Sequence, residues 1–213
     1  MITASIDLRA DHGAVRHQGP RQACLAFSLS DLNGHQHGQP GALSPEYLFR
    51  EAAMRMPSWR PGEGLDLHAT LQAVDVPGQP LESDCPYLSD EPVLPLASFG
   101  PYAPMFRGAY GAFAAIGARV TATLNQGASV GLVLRVTPEF FYPDKDSGEV
   151  EFSASFLPGH VHAVLAVGTG QNLSSGEAYF LIRNSWGIDW GKAGHAWLPE
   201  RYITTHALCA FGV

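Results

Sequence analysis

Residues 178–203 read AYFLIRNSWGIDWGKAGHAWLPERYI, and this stretch holds the most informative pattern for the fold. Its two ends, AYFLIRNSW and HAWLPERYI, are rich in aliphatic and aromatic side chains and predict two strands. Asn184 closes the first strand, where its amide oxygen could accept one N–H of a catalytic imidazole and fix the ring. An asparagine there is also a common turn residue, so its position alone does not decide between the two roles.

The β pattern continues upstream of this stretch. SVGLVLRV at 129–136 and HAVLAVGTG at 162–170 predict two further strands. A short helix is expected around residues 111–126, ahead of them. The second half of the chain is therefore predicted to be rich in strands.

The first half carries helical patterns instead. Residues 23–33 place apolar side chains near helical spacing, and we interpret Gly34 as the end of this helix. Ser44 followed by Pro45 is typical of a helix start, and it predicts a second helix over EYLFREAAMR at 46–55.

A third helix is predicted over residues 65–76, where Pro77 and Gly78 close it. The proline-rich residues 81–104 are interpreted as an irregular connection and as the boundary between the two halves. Helices first and strands second predict an α+β protein with two unlike halves.

Composition limits the classes of function. The chain has 213 residues, of which 46% are hydrophobic and 15% charged, and its formal net charge is -7. This is too apolar for a disordered chain, and it shows no basic excess for nucleic-acid binding. No apolar run approaches the roughly 18 residues of a membrane-spanning helix, and residues 1–7 lack the features of a secretory signal. A globular enzyme with no membrane insertion is expected.

The three cysteines, Cys24, Cys85 and Cys209, are an odd number, so a monomer leaves at least one thiol free. A disulfide scaffold is not expected, and a reducing compartment is favoured: the cytoplasm, or a destination reached without a Sec signal. No paired Cys-x-x-Cys spacing supports a zinc site, so neither a metal nor another cofactor is expected.

Cys24 is the candidate nucleophile. A free cysteine in an apolar helix is usually a small buried hydrophobic residue. Cys24 stands at the start of its predicted helix, however, where N–H groups and the helix dipole stabilise the thiolate that attacks. Such a thiol needs a base. Of the nine histidines His162 is best placed, on an apolar strand, but His160 shares its face and spacing alone does not choose between them.

Six segments, in order along the chain, resemble the papain family of cysteine peptidases: SIDLR, HQGPRQACLAFS, LSPEYL, PLESDCPY, VHAVLAVGTG and RNSWGIDWGKAGHAWL. The last is the most specific, because NSWG followed by a second Trp-Gly and then a glycine is hard to reach by chance. In papain-like proteases the histidine and asparagine follow the cysteine by about 130–150 residues. Here they follow Cys24 by 138 and 160 residues, and a longer hairpin loop at 171–178 accounts for the second value.

The resemblance implies a papain-like two-lobed fold and hydrolysis of peptide bonds through a thiolate–imidazolium pair and a covalent acyl-enzyme. It implies one catalytic unit over residues 1–213, with a helical lobe at about 10–104. The β-rich lobe, antiparallel and barrel-like, is expected at about 105–213 and includes the N-terminal strand 1–9. The active site is expected in the cleft between the lobes, with a peptide or protein as substrate.

The resemblance also implies roles for individual residues. Cys24 is the nucleophile, His162 its partner and Asn184 the group that orients the ring, so the resemblance gives His160 no catalytic role. Gln18 is implied to be an oxyanion-hole donor, and Trp186 to shield the hydrogen bond between Asn184 and His162 from water. The backbone of Gly64 is implied to pair with extended substrate. Gly131 and Val161 are implied to line the pocket for the residue before the scissile residue. An apolar side chain is expected in that pocket.

Three departures from the family pattern accompany the predicted site. Arg21 takes the place of a disulfide-forming cysteine, and Leu25 that of the tryptophan after the nucleophile. Phe156 lies near another expected cysteine, which leaves Cys209 without its usual partner. Two alternatives to hydrolysis stay open: transfer of the acyl group to an amine by a transpeptidase or deamidase, and a catalytically idle binding module.

Overall fold

The computed structural model describes residues 1–39, 42–97 and 99–213. The helices in these ranges are α1 (Cys24–Gln36), α2 (Pro45–Met54), α3 (Leu67–Asp75), α4 (Gly117–Asn125) and α5 (Glu200–His206). The strands are β1 (Ile2–Asp7), β2 (Gly111–Phe113), β3 (Val130–Arg135), β4 (Val161–Asn172), β5 (Ala178–Arg183), β6 (His195–Pro199) and β7 (Ala207–Gly212). The predicted α+β class is confirmed.

Helix α1 starts at Cys24 and continues past the predicted stop at Gly34 to Gln36. The residue that ends it is Gly38, whose φ of 59° lies in the left-handed region that glycine adopts readily. The N–H of Gln39 then bonds to the carbonyl of Gly34 at 2.9 Å, which closes the last turn. The predicted stop was wrong because Gly34 keeps helical geometry and Gly38 makes the turn.

Side-chain caps set the starts of α2 and α3. The hydroxyl of Ser44 accepts a hydrogen bond from the N–H of Tyr47 at 3.0 Å, and Pro45 occupies the first helical position, as the sequence predicts. At α3 the carboxylate of Asp66 accepts from the N–H of Ala69 at 2.9 Å. Each cap satisfies an N–H that no carbonyl within the helix can reach. The start of α3 therefore follows Asp66, slightly later than predicted.

The strands form one antiparallel sheet in the order β2-β7-β3-β4-β5-β6, with β1 paired to β4. Residues 111–113 were predicted as helix but pair with β7, a strand that the sequence pattern did not reveal. ERYI at 200–203 was predicted as strand but opens α5. Pro199 ends β6 because proline has no N–H to donate to a continuing ladder.

Strand β4 positions the site because its two faces contact different cores. Ala163 and Leu165 pack in one core with α1, whereas Val164 and Ala166 pack in a second core with α4 and α5. Alternate residues of a strand point to opposite faces, so β4 forms the partition between the cores. Helix α1 packs against β4, and its first residue lies at the end where β4 begins.

Between α3 and β2 the chain is irregular, as predicted from its proline content. Residues 81–97 and 99–104 contain neither a helix nor a strand, and residue 98 of the predicted segment lies outside the described residues. No helix in the described part of the chain has the length and apolar character to cross a membrane.

Candidate active site

Cys24 is the first residue of α1, and its side chain is partly exposed. The next residues, Leu25 to Phe27, are buried in the helical core and anchor the start of the helix. The free N–H groups of the first helical turn and the helix dipole favour negative charge on a sulfur placed there. Burial raises the pKa of the Cys24 thiol, while backbone hydrogen bonds with Ala163 and Leu25 act in the opposite direction.

His162 lies at the start of β4, and Asn184 directly follows β5, the neighbouring strand. Both side chains are buried, and Nε2 of His162 lies 2.6 Å from Oδ1 of Asn184. The backbone N–H of Ser185 donates to the same Oδ1 at 2.8 Å. Because Oδ1 accepts both bonds, the neutral imidazole carries its hydrogen on Nε2 and has a free lone pair on Nδ1.

Burial lowers the pKa of His162 to about 4, and the hydrogen bond with Asn184 opposes this shift. At neutral pH the imidazole is therefore a neutral base that can accept a proton. Burial favours the neutral form of both the Cys24 thiol and the His162 imidazole, because it removes water from their charged forms. Charge separation between them depends on the attraction of a thiolate to an imidazolium.

Cys24 and His162 line one cavity of about 330 Å³. Helical-lobe segments contribute one wall and strands of the sheet the other, so the cavity is a cleft between the two halves of the chain. The remaining lining residues are Gln22, Leu25, Gly64, Leu65, Asp66, Leu67, Val133, Val161, Ala163, Leu208 and Cys209. Most of these side chains are apolar, which suits an apolar group of a ligand.

Gln18 is buried beside this cleft and is held at both ends of its amide. Its Oε1 accepts from the hydroxyl of Ser185 at 2.7 Å, and its Nε2 donates to the carbonyl of Arg21 at 2.7 Å. An amide nitrogen has two hydrogens, so the second is available for another acceptor. Gln18 and His162 line a second cavity of about 300 Å³, which adjoins the first at Val161 and His162.

Trp186 covers the imidazole of His162, with their ring centroids 4.5 Å apart. Phe141 stacks on Trp186 at 5.2 Å, and Phe140 meets it edge-on at 5.6 Å. A hydrogen bond kept away from water is stronger than an exposed one. These rings therefore protect the bond between His162 and Asn184. Neither phenylalanine was singled out from the sequence, because no spacing relates them to Trp186.

The structure places the predicted substrate-binding residues differently. Gly64 and Val161 line the cleft, but Gly131 does not. Gly131 pairs with Phe211 across β3 and β7, and a Cβ atom on it would meet the Phe211 ring. Its predicted role is therefore corrected: Gly131 makes room for a core aromatic ring. Val133, on the same face of β3, lines the cleft instead.

The hydrogen bond with Asn184 favours His162 over His160 as the candidate base. His160 is exposed, and its Nδ1 lies 3.1 Å from the carbonyl of Pro158, whereas His162 bonds to Asn184. Cys85 and Cys209 are free thiols, and Cys209 lines the cleft. Among the described residues, no group of three or more His, Cys, Asp and Glu side chains could hold a metal ion.

Asp31 joins the two halves of the site and was missed in the sequence. Its carboxylate bonds to Arg16 at 2.6 Å and to Arg183 at 2.7 Å. Burial raises the pKa of Asp31, but the two arginines outweigh it and lower that pKa to about 2. Asp31 lies on the helix that begins with Cys24, and Arg183 precedes Asn184, so this network ties the thiol to the asparagine.

Residues 143–209 match the family model of papain family cysteine proteases. Cysteine protease 1 of Oryza sativa subsp. japonica is 49% identical over 43 residues, which are 20% of this chain and 9% of that protein. Ananain of Ananas comosus is 36% identical over 52 residues, 24% of this chain and 15% of that protein. These alignments cover less than a fifth of the length of either curated relative.

Similarity to solved structures extends over nearly the whole chain. Xylellain, a cysteine protease from Xylella fastidiosa, superposes with a TM-score of 0.76 at 20% identity, covering 99% of this chain and 85% of that one. The bromelain protease from Ananas comosus, solved with the E64 inhibitor, has a TM-score of 0.76 at 20% identity, with coverage of 98% and 97%. This similarity shows a shared fold.

Proposed function

The chain is papain-like in fold along nearly its whole length and in sequence over residues 143–209, and from this we propose that it is a cysteine peptidase. The observation that carries the proposal is the meeting of Cys24 and His162 on one cleft, with Asn184 bonded to the imidazole. A thiol, a base and a group that orients the base are the parts of an activated nucleophile.

The first half of the reaction forms the acyl-enzyme. The thiol of Cys24 gives its proton to Nδ1 of His162, and the thiolate attacks the carbonyl carbon of the scissile bond. The electron pair of the carbonyl moves to its oxygen, where the free hydrogen on Nε2 of Gln18 and the backbone N–H of Cys24 stabilise it. One such donor is typically worth about a hundredfold to a thousandfold in rate. The imidazolium then protonates the leaving amine as the C–N bond breaks, and a thioester remains.

The second half releases the acyl group. Neutral His162 removes a proton from water as its oxygen attacks the thioester carbon. The C–S bond then breaks, the acid product leaves, and the proton returns to the sulfur of Cys24. Asn184 holds the ring through both halves, because its Oδ1 accepts the Nε2 hydrogen that the imidazole keeps.

The substrate is an extended peptide or protein segment with an apolar residue just before the scissile residue. Leu67, Val133, Val161 and Leu208 line the cleft beside Cys24, which favours an apolar side chain. Gly64 lies in the lining of the same cleft and has no side chain, so its backbone is open to an extended substrate. A Cβ atom placed on Gly64 would lie 3.7 Å from its nearest neighbour, which is on Gln22. Profiling on a peptide library tests this preference; a demand for a charged residue at that position would contradict it.

Labelling and turnover test the proposed chemistry together. Cys24→Ala is expected to abolish peptide hydrolysis, and an epoxide peptide directed at thiols is expected to label Cys24. Cys209 is a demanding internal control, because its thiol is free and lines the same cleft. Full turnover by Cys24→Ala, or equal labelling of Cys209 and Cys24, would disprove the proposal.

The free state of all three cysteines supports work in a reducing environment. Cys24 stays a thiol there and remains able to attack. Activity that persists in a glutathione buffer and declines after mild oxidation is the expected result. Full activity after oxidation of Cys24 would contradict it.

A further inference from the structure

We propose that Arg21 is a positioning residue for the oxyanion donor. Its buried ion pair with Glu46 holds the loop at 18–23 so that Gln18 keeps one amide hydrogen for the reacting oxygen. The inference rests on the proposed function, because Gln18 has this task only in a peptidase. Arg21 stands where the resemblance to the papain family places a disulfide-forming cysteine, so an ion pair here takes the place of a covalent link.

The pair is almost completely removed from solvent. The side chains of Arg21 and Glu46 are each 1% exposed, and Nη1 of Arg21 bonds to Oε2 of Glu46 at 2.5 Å. The same Nη1 donates to the carbonyl of Leu88 at 2.6 Å, and Arg50 donates to the other oxygen of Glu46 at 2.7 Å. A buried charge is strongly destabilising when it loses its partner, so these contacts define one position for the guanidinium.

Two aromatic rings flank the guanidinium. Its central carbon lies 4.3 Å from the ring centroid of Phe49 and 5.0 Å from that of Tyr87. A flat guanidinium stacks on aromatic faces, which the compact ammonium of lysine cannot do as well. Tyr87 in turn packs edge-on against Phe27 of α1, at 4.7 Å. Arg21 is therefore connected, through Tyr87, to the helix that carries Cys24.

Two hydrogen bonds link Arg21 and Tyr87 to Gln18. The Arg21 carbonyl accepts one hydrogen from Nε2 of Gln18 at 2.7 Å, and the hydroxyl of Tyr87 donates to the backbone carbonyl of Gln18 at 2.7 Å. The Arg21 carbonyl also accepts the N–H of Ala23, next to Cys24, at 2.8 Å. A shift of Arg21 therefore moves the amide relative to the sulfur. Misplacement by 1 Å can lower a rate by about a hundredfold.

A double-mutant cycle separates positioning from support of the fold. Rates are divided by the concentration of active sites titrated with the epoxide peptide, so misfolded protein is not counted. Arg21→Met is expected to lower kcat by roughly tenfold to a hundredfold with little change in KM. In the Gln18→Ala background the same substitution is expected to lower kcat by less than about twofold, because the group that it positions is gone.

Three further variants sharpen the test. Arg21→Lys is expected to lose part of the rate, because it keeps the charge and loses the stacking. Tyr87→Phe removes one hydroxyl, and its expected loss of kcat disappears in the Gln18→Ala background. Arg55→Met removes another ion pair of α2, with Glu51 at 2.9 Å, and is expected to leave kcat unchanged.

The failures are distinguishable. Equal losses from Arg21→Met in both backgrounds, or an unchanged kcat, overturn the inference while a slow Gln18→Ala still supports the peptidase. Should Arg21→Met fail to fold, the double variant Arg21→Met/Glu46→Gln removes the buried negative charge that has lost Arg21, and Tyr87→Phe gives an independent answer. A normal kcat in Tyr87→Phe also overturns the inference. Turnover by Cys24→Ala contradicts the proposed function instead.

Discussion

The imidazole of His162 donates its Nε2 hydrogen to Oδ1 of Asn184 at 2.6 Å, and that oxygen also accepts the backbone N–H of Ser185. Rotation of the asparagine amide would break both bonds, so the tautomer of His162 is set by the end of the neighbouring strand. Nδ1 keeps its lone pair, and in the proposed reaction it accepts the proton of Cys24. Several expected properties of the protein depend on this arrangement.

Removal of the aromatic cover is expected to slow catalysis. Trp186 lies over the imidazole with centroids 4.5 Å apart, and Trp186→Ala would admit water to the bond beneath it. We expect kcat to fall by roughly tenfold or more. Ile188→Ala is the matched control, because Ile188 lies two residues further along and is 65% exposed. Equal kcat values for the two variants would contradict the shielding role.

The acid limit of activity should report the protonation of His162. Burial lowers the pKa of His162 to about 4, so kcat/KM is expected to fall as pH drops through about 4, where the imidazole can no longer accept a proton. Asn184 raises this pKa, so Asn184→Ala should move the acid limit to lower pH and also reduce kcat. Brief assays after pH jumps measure the limit, and movement to higher pH would count against this assignment.

Stability should decline in mild acid because two buried histidines and one half-buried histidine resist protonation. Burial lowers the pKa of His162 and His195 to about 4 and that of His12 to about 3. The unfolded chain binds these protons near pH 6.5, so their contribution is complete above that pH and is lost as pH falls toward about 4. Each histidine adds a slope of up to about 1.4 kcal/mol per pH unit.

Urea unfolding at a series of pH values measures this slope. His195→Gln should reduce it by about one proton. A slope that His195→Gln does not change would show that His195 is protonated in the folded state.

Loss of Asp31 should destabilise the fold far more than loss of an exposed partner. Asp31→Asn leaves Arg16 and Arg183 without their shared carboxylate, and we expect a loss of about 3–5 kcal/mol in the free energy of unfolding. Asp7→Asn breaks the pair with Arg9 at the surface and should cost about 0–1 kcal/mol. Similar urea midpoints for the two variants would refute the structural role of Asp31.

Gly131 should tolerate no side chain. A Cβ atom there would overlap the Phe211 ring, which is fully buried. Gly131→Ala is therefore expected to destabilise the protein by about 1–3 kcal/mol. Gly111→Ala on exposed β2 meets nothing within 4 Å and serves as the control. A thermal midpoint for Gly131→Ala equal to that of the control would contradict the close packing.

Local patterns were reliable where a few neighbouring residues determine the structure. The cap of α2 follows from Ser44 and Pro45, and four strands follow from runs of apolar side chains. The end of α1 was predicted wrongly because two glycines lie within five residues and only backbone conformation distinguishes them. Strand β2 was missed because its three residues are strand only through their pairing with β7.

The amino-acid sequence was sufficient to predict Cys24, His162 and Asn184 as the catalytic residues, because segments that resemble the papain family follow one another in the family's order; side-chain chemistry alone left His160 as an alternative. It could not exclude Gly131 from the cleft or find the link from Asp31 to Arg183. Those facts depend on residues far apart in the chain that meet through packing, as Phe211 meets Gly131 and as Arg21 and Tyr87 meet Gln18. Three-dimensional packing sets such contacts, because distant residues share space only after the helices and the sheet have come together.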